Sequence, residues 1–175
     1  MSAFVVATHV WPAGAEVPSP CEVLDLDFGG PIGDRHHGLT MKSDTRQKEF
    51  FARGTEIRNH RQVSIVDLAE LATIAQAMGI AGIAPGLIAD NICTEGIDGL
   101  TQLPRMTRLI FEGGAVIMLG GENFPCTIAG AMVGSVHGTP PAKFPKSAMG
   151  LRGVTGWVER PGLVRPGMAI DVRIP

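Results

Sequence analysis

The sequence is poor in cysteine, with three in 175 residues, at Cys21, Cys93 and Cys126. They are odd in number and widely spaced, with no Cys-x-x-Cys pair and no close cluster with histidine, which argues against a disulfide framework or a zinc ribbon. A chain of this length buries roughly 70% of the surface that its unfolded form exposes, so it needs no disulfides for stability. We therefore expect one domain over residues 1–175.

The chain also lacks an excess of charge of either sign, since 15 Lys and Arg stand against 17 Asp and Glu. This balance provides no broad basic surface for nucleic acid or for an anionic membrane, so any anion has to be held locally. Residues 1–6 lack the basic region that begins a secretory signal. The expected location is the cytoplasm.

No charged residue occurs between residues 71 and 89, a stretch nearly long enough to cross a bilayer. Glycines and a proline divide it, however, and its first half follows helical spacing. Asp67 and Glu70 are placed like a capping box. We predict a helix over 67–78 followed by a turn, rather than a membrane span.

Short apolar runs separated by 23 Gly and 13 Pro are typical of an irregular β-rich domain. Many strands with few helices between them favour a closed or nearly closed barrel over a doubly wound parallel sheet. The predicted fold is therefore mainly β with a few helices, a second one beginning near Pro125 or Cys126. Predicted strands cover residues 4–8, 21–28, 62–66, 87–94, 108–112, 115–119, 153–158 and 168–173.

Three segments have patterns of their own. In 21–28, Leu24, Leu26 and Phe28 alternate with acids, which predicts a half-buried strand. Residues 42–60 are rich in charge and could form a helix or a mobile loop over a site. Residues 138–146 contain three prolines, so we expect an extended or irregular connection.

Cys126 is the strongest candidate for carrying chemistry. It follows Pro125, which holds its predecessor extended and often opens a helix, and a helix N-terminus favours a thiolate. The thiol would suit a nucleophile, a sulfur carrier or a ligand for a soft metal. The alternative is an inert, partly buried cysteine in an apolar setting.

A glycine-bounded cluster at residues 29–38 contains Asp34, Arg35, His36 and His37. Glycine lets backbone amides approach an anion, and arginine grips phosphate, so this turn is a candidate binding segment. The alternative is a surface loop with a structural ion pair. If the segment were extended, the adjacent histidines would face opposite sides and would be poor joint ligands of one metal.

Three further clusters offer polar groups. Arg61 begins a predicted strand, and Arg152 lies between two glycines, so each could present a guanidinium to a phosphate or carboxylate. Asn91 and Thr94 offer neutral hydrogen-bonding groups, although such residues near a glycine turn often satisfy local backbone.

Taken in order, these pieces resemble the MOSC domain, the family related to the C-terminal part of molybdenum cofactor sulfurases. The resemblance spans residues from about 30 to 170. One departure is Met168 after Gly167, where many members have Asp. The matching pieces are Gly33-Asp34-Arg35-His36-His37-Gly38, Arg61-Gln62-Val63-Ser64-Ile65, Asn91-Ile92 with Thr94-Glu95-Gly96-Ile97, Pro125-Cys126, and Arg152-Gly153-Val154 leading to Gly162-Leu163-Val164-Arg165-Pro166-Gly167.

The resemblance implies a MOSC-type β-barrel with one cysteine, matching Cys126, that binds the metal of the molybdenum cofactor (molybdopterin) or carries a sulfur. It implies binding of the cofactor by residues at the other matching positions, with the arginines on the pterin phosphate. We expect no fused desulfurase domain and no pyridoxal phosphate site in this chain, and therefore a pyridoxal-phosphate-dependent cysteine desulfurase or an electron-transfer protein as partner. The implied cofactor-binding residues are Arg35, His36, His37, Arg61, Asn91, Thr94 and Arg152.

Four functions remain open at this point. The first is reduction of N-hydroxylated compounds with an external electron donor, and the second is a persulfide carrier without metal. The third is a non-catalytic ligand-binding module. The fourth is a Cys–His hydrolase in which Cys126 is paired with His37 or His137.

Overall fold

The computed structural model describes residues 3–175 and contains, over that range, thirteen strands, three α-helices and two short 3₁₀ helices. The helices are α1 Leu68–Met78, α2 Thr127–His137 and α3 Lys143–Ser147, with 3₁₀ helices at Thr45–Gln47 and Leu100–Gln102. The strands are β1 Ala3–Val10, β2 Ser19–Pro20, β3 Leu24–Asp27, β4 Gly30–Pro31, β5 Thr40–Lys42, β6 Glu56–Arg58, β7 Val63–Asp67, β8 Ile92–Glu95, β9 Arg108–Phe111, β10 Val116–Glu122, β11 Val154–Arg160, β12 Gly162–Val164 and β13 Ala169–Arg173.

Seven strands form a closed barrel in the order β13, β9, β10, β11, β7, β8, β1, and β1 pairs with β13 to close it. Strands β7 and β8 run parallel, and the other pairs are antiparallel. Closure pairs the strand edges that an open sheet would expose. The predicted β-rich barrel is confirmed.

The core has two parts because successive residues of a strand face opposite sides of the sheet. In β7, Ile65 packs inside the barrel and Val66 packs outside it, against the helices. In β8, Ile92 likewise packs inside the barrel and Cys93 packs outside it. One side of the barrel wall therefore carries the helices, and α2 is among them.

Helix α1 begins and ends as its sequence predicts. The side chain of Asp67 accepts a hydrogen bond from the backbone N–H of Ala69 at 3.0 Å, and Gly79 ends the helix at φ 64°. The predicted capping box is wrong in its second half, because the Glu70 carboxylate accepts from the backbone and hydroxyl of Thr101 instead. Of the described residues 3–175, no helix is both long and apolar enough to cross a bilayer.

Helix α2 lies close to the segment that follows it, and its two interior glycines allow this. A Cβ at Gly130 would collide with the carbonyl oxygen of Pro141, and one at Gly134 with that of Thr139. The predicted helix near Cys126 is present, and Cys126 is its N-cap residue.

Seven predicted strands are present with ends within three residues of the prediction, and the eighth, predicted at 87–94, begins only at Ile92. Residues 87–91 form turns rather than strand because the buried Asp90 carboxylate accepts the Gly86 N–H at 2.9 and 3.0 Å. The strand predicted at 21–28 is limited to β3, and Phe28 is exposed.

The two segments of undecided structure are more ordered than predicted. Residues 42–60 contain the 3₁₀ helix Thr45–Gln47 and strand β6, which pairs with β5 in a hairpin. Residues 138–146 are only partly irregular, since α3 begins at Lys143.

Candidate functional site

A cavity of about 620 Å³ opens where β7, β11, the N-terminus of α2 and three loops meet, a size that suits a small molecule or cofactor. It gathers side chains from distant parts of the sequence. Among the described residues, four arginines and a single carboxylate, Asp44, line it. The lining includes Trp11, Arg35, His36, His37, Met41, Asp44, Arg46, Asn59, Arg61, Ser64, Ile88, Ala89, Asn91, Asn123, Phe124, Cys126, Ile128, Met132, Arg152 and Thr155.

Cys126 lies in this lining, half-buried, with an extended backbone at the N-terminus of α2. Its side chain accepts no capping hydrogen bond from the helix, and its carbonyl oxygen accepts from Gly130. Arg61 and Arg152 lie close enough for a Cys126 thiolate to stabilise their charge. Cys126 therefore lies close to two cations and at a helix N-terminus.

Arg61 and Arg152 form the inner basic wall of the cavity. Burial, followed by repulsion from Arg46, lowers the pKa of Arg61 to about 10. Burial also lowers the pKa of Arg152, and the negative charge of Asp90 partly opposes this shift. Two largely buried guanidinium groups in the lining of one cavity favour an anionic ligand.

A polar bridge links the two arginines. Arg61 donates from Nη2 to Oδ1 of Asn123 at 3.0 Å, and Asn123 donates from Nδ2 to Oγ of Ser64 at 3.1 Å. The same hydroxyl accepts from Nη1 of Arg152 at 3.2 Å, while Nη2 of Arg152 donates to the carbonyl oxygen of Ile88 at 2.5 Å. Each guanidinium is thereby fixed in the wall.

Asn91 and Asp34 hold the loop that carries the histidines. Asn91 donates to Oδ2 of Asp34 at 2.9 Å and accepts the backbone N–H of Ser64 at 3.0 Å. Burial opposes ionisation of Asp34, but hydrogen bonds from His36 and from the backbone of Trp11 outweigh it and lower the pKa of this carboxyl. Asn91 is thus a lining residue with a positioning role.

The predicted histidines and Arg35 lie at the rim, in turns rather than in a strand. His36 contacts Asp34 through Nδ1 at 3.0 Å, whereas His37 contacts Asp27 through Nε2 at 2.8 Å. The two rings therefore contact different carboxylates. The strand geometry that was expected to separate them is absent, because this segment forms turns. The guanidinium of Arg35 lies 4.3 Å from the centre of the Trp11 ring, a cation–π contact.

Sequence reasoning missed Arg46, Asn123, Ser64 and Trp11. Arg46 lines the cavity from the β5–β6 hairpin, where its Nη1 lies 2.7 Å from Oδ2 of Asp44. Asp44 caps the 3₁₀ helix, and its spacing from Gln47 is a capping-box signal that was readable in the sequence. Asn123 lies three positions before Cys126, but no periodicity or motif marks it.

Two residues named from the sequence lie outside the cavity lining. Thr94 is fully buried and donates to the carbonyl oxygen of Val66 and to the Asp67 carboxylate, so its contacts support the start of α1. His137 is the last residue of α2, about 15 Å of helical rise from the Cys126 end, and is not placed to act as its base. Ligand binding by the lining residues stays a prediction.

A metal site made by the protein alone is absent from the part of the chain that the structure describes: no group of three or more His, Cys, Asp or Glu side chains could hold an ion. Any metal in the cavity would have to bring most of its ligands with it. Cys93 does not contribute, because it is fully buried and burial raises its pKa to about 12.

Comparison with known proteins places this geometry in context. The sequence profile of the MOSC domain matches residues 33–171. YuaD of Bacillus subtilis strain 168, whose name assigns it provisionally to metal-sulfur cluster biosynthesis, is 41% identical over 159 residues, covering 89% of this chain and 82% of YuaD.

Two solved structures extend the comparison. The crystal structure of Bacillus subtilis YuaD superposes with a TM-score of 0.94 at 38% identity, covering 100% of this chain and 97% of that one. YiiM from Geobacillus stearothermophilus gives a TM-score of 0.67 at 12% identity, covering 97% of this chain and 74% of that one, and shares the fold.

Proposed function

Because the chain belongs to the MOSC domain family, we propose that it binds the molybdenum cofactor, with Cys126 as the protein ligand of the metal. The observation that carries the proposal is the position of one half-buried thiol in a cavity lined by four arginines. A thiolate is a suitable ligand for a soft metal, and guanidinium groups bind phosphate.

The donor set fits a cofactor that supplies the other metal ligands itself. Cys126 would hold the metal, while Arg61 and Arg152 would hold the phosphate of the pterin. The bound cofactor would supply two-electron redox chemistry. The protein's own residues would orient and hold it: Asn123 and Ser64 fix the two guanidinium groups, and α2 presents the thiol.

Reduction of an N-hydroxylated compound is the reaction we propose for the loaded protein. Such a reduction converts a hydroxylamine and two protons, with two electrons, into an amine and water. The electrons would come from an electron-transfer partner, because the sequence has no flavin, haem or iron–sulfur motif. His36 and His37, each fixed by a carboxylate at the rim, are the candidates for proton delivery.

Sulfur carriage is the second candidate, and the name of YuaD, which refers to metal-sulfur clusters, favours it. The Cys126 thiolate would attack the outer sulfur of a cysteine desulfurase persulfide. One S–S bond then forms at Cys126, the donor's S–S bond breaks, and the donor cysteine leaves as a thiolate, with no net oxidation. Arg61 and Arg152 would stabilise the persulfide anion.

The cytoplasmic location stays a prediction from the sequence.

The test is molybdenum and pterin content per chain after anaerobic purification from a host that makes the cofactor. Wild type, Cys126→Ala and Cys21→Ala are compared, because Cys21 is also half-buried but lies outside the cavity lining. We expect molybdenum in wild type and Cys21→Ala and its loss in Cys126→Ala.

Two results would overturn the cofactor proposal. Absence of molybdenum with a sulfane sulfur on Cys126 would replace it by sulfur carriage. Absence of both would leave a ligand-binding module. Sulfane sulfur is measured by cyanolysis of the same samples.

A further inference from the structure

Apolar side chains lie next to Cys126 in the lining of the cavity, in addition to the arginines. Phe124 and Ile128 flank the cysteine and are 54% and 68% exposed, although large apolar side chains are normally buried. Ile128 and Met132 are four residues apart in α2, so they lie on one face of the helix. Phe124, Ile128 and Met132 all line the cavity, and we call them the α2 ledge.

Arginines line the same cavity as this ledge. Arg61 and Arg152 are fixed by Asn123 and Ser64, and Arg46 adds a third cation from the hairpin. Asp44 is the one carboxylate among the described lining residues, and it pairs with Arg46. The lining of the cavity therefore combines net positive charge with exposed apolar side chains.

We propose that the cavity accepts an amphiphilic anion: a sulfonate, phosphate monoester or carboxylate whose alkyl or aryl body lies on the α2 ledge beside Cys126. This inference rests on the proposed function only in taking the cavity as the binding site. It concerns the cavity without the cofactor, because the anionic end would occupy the guanidinium groups of Arg61 and Arg152 that are proposed to hold the pterin phosphate. The charge of the arginines fixes the anionic end. Contact of the body with Ile128 would remove apolar surface of both from water.

The occupant is a small molecule rather than a macromolecule, because the apolar and basic groups line one concave cavity of about 620 Å³. An anion held at Arg61 and Arg152 would have its body directed past Cys126. Apolar substrates would then be presented to the thiol, or to whatever the thiol holds.

Helix α2 supplies a matched control. Val136 is 62% exposed, nearly as much as Ile128, and lies eight residues further along the same helix, about 12 Å in rise. Val136 does not belong to the cavity lining. Replacing either residue by serine removes a comparable exposed apolar group, but only one replacement alters the ledge.

The experiment measures dissociation constants of methane-, butane- and octanesulfonate by displacement of 8-anilinonaphthalene-1-sulfonate. Proteins compared are wild type, Ile128→Ser, Val136→Ser, Phe124→Ser and Cys126→Ala. In wild type and Val136→Ser we expect affinity to rise about twofold for each added methylene, below the roughly fourfold limit of complete burial. Ile128→Ser and Phe124→Ser should flatten this rise while methanesulfonate affinity stays unchanged.

The proposal is overturned if affinity does not depend on chain length in wild type, or if Val136→Ser flattens the rise as much as Ile128→Ser does. Retention of the rise in Cys126→Ala is expected, since the ledge does not need the thiol. Molybdenum content is a separate readout. Metal bound by wild type without a chain-length effect would refute the ledge alone, and a chain-length effect without metal would refute the cofactor proposal alone.

Discussion

Arg61 and Asn123 are 62 positions apart in sequence, and a hydrogen bond of 3.0 Å from Nη2 to Oδ1 joins them in the cavity wall. The amide of Asn123 donates a hydrogen bond to the Ser64 hydroxyl, which also accepts one from Arg152. Two neutral side chains, Asn123 and Ser64, thus fix the two inner cations of the site without cancelling their charge. A carboxylate at this position would fix Arg61 as well but would compete with an anionic ligand.

Asn123→Ala should weaken butanesulfonate binding by roughly tenfold, because loss of a hydrogen bond to a charged group costs about 1.5 kcal/mol and releases Arg61 from its position. Displacement titration measures the effect. Asn123→Asp should weaken binding further by placing a carboxylate against Arg61. Gln102→Ala is the control, since Gln102 also makes a hydrogen bond, to the Gly150 carbonyl, but is exposed and outside the lining. Unchanged affinity in Asn123→Ala would contradict the bridge.

Thr94→Val should destabilise the fold by about 1–2 kcal/mol and leave anion affinity unchanged, because its hydroxyl bonds the carbonyl of Val66 and the Asp67 carboxylate. Asn91→Ala is the paired variant and should lower both quantities, since Asn91 lies in the lining and ties Asp34 to Ser64. Urea unfolding and displacement titration give the two values. A loss of anion affinity in Thr94→Val without a loss of stability would mean that Thr94 takes part in binding.

The barrel could be predicted from the sequence because its strands carry local signals. Short apolar runs bounded by glycine and proline mark strand positions, and helical spacing with a capping Asp67 marks α1. Prediction of 87–91 as strand failed because the apolar residues there are used in turns. The carboxylate of Asp90 accepts the Gly86 N–H only four positions away, but its burial, which makes this contact decisive, depends on the whole fold.

The site could be predicted only where a motif marked it. Cys126, Arg61 and Arg152 stand beside proline or glycine or at a strand start, and all three line the cavity. Asn123 makes its contacts with residues 59 and 62 positions away, so its neighbours in sequence carry no information about them. Thr94 was named for its residue type, and the fold uses its hydroxyl for packing of α1.

Asp34→Asn should show a pH-dependent loss of stability. Burial raises the pKa of Asp34, but hydrogen bonds from His36 and Trp11 outweigh it, so the folded pKa is below the unfolded value near 4. The ionised form therefore contributes stability that is complete above pH 4 and is lost as pH falls through the folded pKa. We expect the variant to be about 2 kcal/mol less stable at pH 7, with the difference shrinking below pH 4.

Urea unfolding from pH 7 to pH 3 measures this difference. Asp25→Asn is the control, because Asp25 is exposed on β3 and its replacement should cost less than about 0.5 kcal/mol at every pH. A difference between wild type and Asp34→Asn that stays constant down to pH 3 would mean that the carboxylate charge is irrelevant to the hydrogen bonds.

Gly130→Ala should destabilise the protein although alanine is the better helix former. Helix propensity alone favours the change by up to about 1 kcal/mol, but the new Cβ would collide with the Pro141 carbonyl, and overpacking costs typically 1–3 kcal/mol. Thermal unfolding measures the net loss. Gly82→Ala is the control, because a Cβ there meets nothing within 4 Å and its φ is not in the left-handed region. Equal stability of the two variants would show that α2 can shift away from residues 139–141.

Alkylation should separate the three cysteines by environment. Cys93 should resist iodoacetamide at pH 8, because it is fully buried and burial raises its pKa to about 12.

Cys21 and Cys126 are both half-buried, but only Cys126 faces guanidinium groups and a helix N-terminus. Butanesulfonate should slow the reaction at Cys126 and leave Cys21 unchanged, which peptide mass spectrometry resolves in one sample. Equal protection of both cysteines would show that the anion acts on the whole fold rather than in the cavity.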